Sequence, residues 1–71
     1  MNISVLKDMF DTNLNKIIDL EKDIWNENAQ DEAMARRNAF SDKLKSLGIN
    51  KCGYSGSSFF VYYEDGKIET I

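Results

Sequence analysis

Seventy-one residues, 42% hydrophobic and 30% charged, make one domain near the lower size limit for folding without disulfide or metal staples. The apolar fraction excludes a disordered chain, and a formal net charge of −3 gives no basic field to draw in phosphate backbones. The absence of histidine and the single cysteine, Cys52, exclude Ser-His-Asp and Cys-His catalysis and a zinc site within one chain.

One cysteine suits a reducing compartment. The segment Met1–Asp8 lacks a basic region followed by a continuous apolar stretch, and no apolar run approaches the ~20 residues that span a bilayer. The expectation is a cytoplasmic protein with no membrane association. A chain this short also gains from burying further apolar surface in a homodimer.

The first element is a helix over residues 3–25. Ile3, Leu6, Phe10, Leu14, Ile17 and Ile24 recur at intervals of three, four or seven, which at about 100° per residue forms one stripe flanked by Ile18 and Trp25. Asn2 or Ser4 supplies the N-cap. Asn26-Glu27-Asn28 interrupts the pattern, and Asn28 with Asp31 resembles a capping box.

A second helix over 29–47 places Ala29, Ala33, Phe40, Leu44 and Leu47 on one stripe. Gly48 follows as the C′ residue, with Lys43 and Lys45 near the negative end of the helix dipole. Two antiparallel helices are preferred over one long helix through residue 47, which would have to dimerise to cover its stripe. A hairpin centred near Glu27 sets Phe10 against Leu44, Leu14 against Phe40 and Trp25 near Ala29. Glu21 then falls within the apolar stripe, where Arg37 or Arg36 can pair with it; Glu21–Arg37 is the expected structural ion pair.

After Gly48 the period changes from 3.6 to 2. Residues 58–71 read as a β-hairpin closed by Asp65-Gly66, a pair suited to the positive φ angles of a type I′ turn. That register pairs Tyr63 with Ile68, Val61 with Thr70 and Glu64 with Lys67. Phe59, Val61, Tyr63, Ile68 and Thr70 then share one face; Phe60, Tyr62, Glu69 and Ile71 share the other. Residues 49–54 either add a third strand, turned at Ser55-Gly56 with Cys52 opposite Phe59, or remain loop. The fold class is α+β: an N-terminal antiparallel helical hairpin packed on a small C-terminal antiparallel sheet of two or three strands, in one domain over 1–71.

Little catalytic chemistry survives this reading. No catalytic, cofactor-binding or metal-binding residue is assigned. Gly53-Tyr54-Ser55-Gly56-Ser57 lacks the final glycine and the base of a nucleophile elbow and reads as a turn. Cys52 reads as a small buried hydrophobe.

The aromatic hairpin carries the functional content, because both faces of Phe59-Phe60-Val61-Tyr62-Tyr63 are apolar while one face suffices to cover the helices. Phe60, Tyr62, Ile71 and Glu69 are the candidate partner contacts. The expected function is a small acidic, non-enzymatic protein-binding module, a regulator or inhibitor. Phage-encoded host-takeover and anti-defence proteins share that profile, an analogy of class with no motif behind it. The alternative is single-stranded nucleic-acid binding, with Phe60 or Tyr62 stacking on bases and Arg36, Arg37, Lys43, Lys45 and Lys51 meeting phosphates; overall acidity opposes it.

Overall fold

A computed structural model describes residues 2–71. Helix α1 spans Ile3–Lys22 and helix α2 Ala29–Ser46; strands β1 (Ile49–Ser55), β2 (Ser58–Tyr63) and β3 (Ile68–Thr70) follow. The strands form one antiparallel sheet in the order β1-β2-β3. This is the α+β class expected from the change of period at Gly48, with the third strand present. No helix among the described residues is long and apolar enough to cross a membrane.

The helix ends follow local chemistry. Asn2 is the N-cap of α1, its side chain accepting a hydrogen bond from the Ser4 N–H at 2.8 Å. Gly48 takes φ +73° just after α2, and its N–H donates to the Lys45 carbonyl at 3.1 Å. Two expectations at the helix link are corrected. Helix α1 stops at Lys22 instead of residue 25, because the Asp23 N–H folds back onto the Leu20 carbonyl. The capping box is also absent: Asn28 makes no side-chain cap, and its own N–H donates to the Asn26 side chain at 3.0 Å.

Two further corrections concern the sheet. Strand β1 carries a bulge between Ile49 and Lys51. Strict alternation would put Ile49 on the face opposite Cys52, three residues away. The extra residue, Asn50, restores Ile49, Cys52 and Tyr54 to the helix-facing side, opposite Tyr63, Val61 and Phe59 in turn. Cys52 therefore pairs with Val61, and the expected pairing with Phe59 does not form.

The second concerns the turn at Asp65-Gly66. Among the described residues only glycines have positive φ: Gly66 lies at +92° and Asp65 does not join it, so the turn is not type I′. The Tyr63 N–H bonds the Lys67 carbonyl at 2.8 Å, and the Gly66 N–H bonds the Tyr63 carbonyl at 3.0 Å. The loop is thus three residues, Glu64-Asp65-Gly66, with glycine in the left-handed position. The Asp65 carboxylate accepts from the Lys67 N–H at 2.9 Å, which holds Asp65 in the ordinary region. One extra loop residue shifts the register by one, so Tyr62 pairs with Ile68, Val61 with Glu69 and Phe60 with Thr70.

The core forms where the helices meet the sheet. Leu6, Leu44, Ile49, Phe59 and Val61 are buried together, with Ile3, Phe10, Phe40, Cys52 and Tyr63 packed around them. Phe10 contacts Phe40, Tyr54 and Phe59 at ring-centroid distances of 6.0, 5.8 and 5.6 Å. The contacts are tilted or edge-on, the arrangement that the ring quadrupole favours.

These helix residues all lie in the first half of α1 and the second half of α2. The rest of the helical hairpin projects as an arm, and the molecule extends 42 × 25 × 17 Å. Inside the arm Ile17, Ala29 and Ala33 are buried, and the Arg37 guanidinium pairs with the Glu21 carboxylate across it. At the tip, Ile24 is 82% and Trp25 89% exposed. The sequence placed Ile24 on the core stripe and Trp25 beside Ala29; with α1 ending at Lys22, both leave the packed surface.

Candidate functional site: the outer face of the sheet

The helices cover only one side of the sheet. Phe59 and Val61 point into the core and are fully buried, so alternation along β2 turns Ser58, Phe60 and Tyr62 to the opposite side. Cross-strand register adds Lys51 and Gly53 from β1 and Ile68 and Thr70 from β3. This outer face is a short aromatic platform.

Phe60 and Tyr62 are half-buried and meet edge to face, their centroids 5.0 Å apart. Phe60 lies across Gly53: a β-carbon built there would sit 3.6 Å from Phe60 Cζ. The ring packs over the glycine and buries it. The Lys51 ammonium stands 5.0 Å from the Tyr62 ring centroid, within cation–π range. Ile68, 55% exposed, borders Tyr62 on the other strand.

Of the expected partner contacts, Phe60 and Tyr62 stand on this face. Glu69 and Ile71 do not, because the three-residue loop moves them to the helix side: Glu69 pairs with Val61, and Ile71 exchanges backbone hydrogen bonds with Phe59. Glu69 instead accepts the Tyr63 hydroxyl hydrogen bond at 2.9 Å, and that bond raises the Tyr63 pKa above its ordinary value. Ile68 takes the place of Ile71 on the outer face. A three-residue reading of Asp65-Gly66 was the one signal in the sequence that would have found it.

Of the five cations assigned to nucleic acid, only Lys51 stands beside the aromatics. Arg36, Arg37, Lys43 and Lys45 belong to α2, which packs on the other side of the sheet, and Arg37 is engaged by Glu21. Arg36 lines a groove between the helices with Lys16, Asp19 and Asp23.

The helix side holds a different feature. A groove of about 290 Å³ opens where α1, α2 and β1 meet, lined by Phe10, Leu14, Ile17, Phe40, Leu44 and Cys52. Burial raises the Cys52 thiol pKa to about 11, which keeps it protonated and unreactive near neutral pH. At the edge of the core, the Tyr54 hydroxyl donates to Asp11 at 2.6 Å and Lys7 meets the same carboxylate at 3.4 Å. The bond to Asp11 raises the Tyr54 pKa. No three His, Cys, Asp or Glu side chains converge as a metal site among the described residues.

Set against known proteins, the chain matches no family model, no curated protein and no solved structure.

Proposed function

We propose that this chain is a small non-enzymatic protein-binding module, a regulator or inhibitor of its partner, that makes contact through Phe60, Tyr62 and Ile68 on the outer face of the sheet. The observation that carries this reading is the position of two aromatic rings and an isoleucine on the face the helices leave free. Tyr and Phe bring large contact area with few rotatable bonds, so little entropy is lost on docking. Lys51 at the border favours a partner with a carboxylate near its apolar patch.

The same platform offers stacking surfaces to single-stranded nucleic acid. One lysine beside it is too little phosphate neutralisation to make that the preferred reading.

The test is affinity capture with the wild type and with Tyr62→Ala and Ile68→Ser, followed by titration of the purified partner. Both variants should keep the wild-type circular dichroism spectrum and bind at least about tenfold more weakly. Unchanged affinity in both would remove the outer face from the contact. A salt-dependent shift with single-stranded oligonucleotides, lost in Tyr62→Ala, would move the assignment to nucleic acid.

A further inference from the structure

We propose that two copies of this chain associate by placing the tip of one helical hairpin, Trp25 with Ile24, into the groove of the other. The groove is the one between α1, α2 and β1 lined by Phe10, Leu14, Ile17, Phe40 and Leu44.

The two surfaces match in polarity and in charge. Trp25 and Ile24 are the two most exposed large hydrophobic residues among those described, at 89% and 82%. The groove offers about 290 Å³ of apolar-lined space, enough for an indole ring. Residues 23–32 carry Asp23, Glu27, Asp31 and Glu32 and no cation. The groove lining has no carboxylate, and Arg37 lines it. The Arg37 guanidinium is half exposed and pairs with one carboxylate, Glu21, so it keeps N–H donors for a second from the tip. An acidic tip repels anionic lipid and nucleic acid, so its charge favours a protein groove.

A tip does not reach the groove of its own chain. Trp25 lies eight residues beyond Ile17, roughly 12 Å along the helix direction, and the link runs straight on into α2 at Ala29. In a two-fold pair each copy gives a tip and receives one, which closes the assembly; a one-way contact would leave a free tip and groove and grow into a filament. Two tips in two grooves bury on the order of 1,200 Å², the lower end of specific interfaces, so a weak, concentration-dependent association is expected.

Trp25 is the only tryptophan, so its fluorescence reports the contact directly. Sedimentation velocity across about 1 to 300 µM should show monomer passing to dimer, with Trp25 emission moving to shorter wavelength over the same range. Trp25→Ser should abolish the dimer while leaving the melting temperature of the dilute protein unchanged. Ser41→Glu, which sets a carboxylate in the groove, should weaken association at least about tenfold, whereas Lys51→Glu, on the outer face, should not. Tyr62→Ala should dimerise normally, which separates this contact from the outer-face reading. A monomer at every concentration with invariant emission would overturn the proposal. So would a dimer that persists in Trp25→Ser, or a mass that grows past the dimer.

Discussion

The two ends of this molecule are held together by different physics. The head, where the helices meet the sheet, is cemented by large side chains: Leu6, Leu44, Ile49, Phe59 and Val61 bury nearly all their surface, and Phe10, Phe40 and Tyr54 close around them. The arm has only Ile17 and two alanines inside, with Leu14, Ile18 and Met34 at 39%, 37% and 61% exposure. Apolar burial contributes about 25 cal/mol per Å², so most of the hydrophobic stabilisation sits in the head. The arm persists because its helices are joined by a short link, bury Ala29 and Ala33 between them and continue from turns already fixed in the head. The molecule thus carries a well-anchored platform at one end and a weakly buttressed projection at the other.

The sharpest way to break this contrast is to empty the head. Phe59→Ala should cost about 3–5 kcal/mol, a large share of what a domain this small has, and chemical denaturation should find the variant largely unfolded. Stability near that of the wild type would mean that the arm carries more than its burial implies.

A smaller and more local effect is expected in the arm. Ala33 is 1% exposed inside the arm, so Ala33→Val should cost about 1–3 kcal/mol by overpacking. Hydrogen exchange should accelerate across residues 12–38 while β2 amides keep most of their protection. Equal acceleration at both ends would show that the molecule opens as one unit.

The head also has a pH signature. The Cys52 pKa is raised from 9.0 to about 11 by burial. Between those values the folded state holds a proton that the unfolded state has released, so stability is full below pH 9 and falls as pH rises towards 11. Tyr54 and Tyr63, also raised, add to the decline at higher pH. In Cys52→Ala the melting temperature should fall less steeply than in the wild type across this window.

The smallest effect belongs to the ion pair of the arm. Glu21 and Arg37 keep 46% and 53% of their side-chain surface exposed, so Glu21→Gln should cost under about 1 kcal/mol and less still in high salt. A larger loss in a denaturation midpoint would make this pair a main support of the arm.

Much of the architecture was legible because local rules and tertiary context agreed. The stripe Ile3, Leu6, Phe10 marks the helix face that enters the core, and Gly48 ends α2 in the left-handed conformation only glycine adopts without strain. The alternation Phe59-Phe60-Val61-Tyr62 put Phe60 and Tyr62 on the outer face, since their side depends only on which neighbours are buried. Glu69 and Ile71 were misplaced for a single reason. Asp65-Gly66 fits both a two-residue and a three-residue loop, and the choice turns on one hydrogen bond from the Lys67 N–H to the Asp65 side chain. Parity then carries the difference through the whole of β3.

The order of elements, the Asn2 and Gly48 caps and the two faces of β2 were therefore determined by the sequence alone, because each rests on side-chain periodicity or on the backbone preferences of single residues. The tertiary structure decided the rest. It chose the bulge at Asn50 that turns Ile49 into the core, the loop that exchanges Ile71 for Ile68 on the outer face, and the early end of α1 that leaves Trp25 in solvent. Each is a one- or two-residue shift of small local cost that side-chain periodicity does not register.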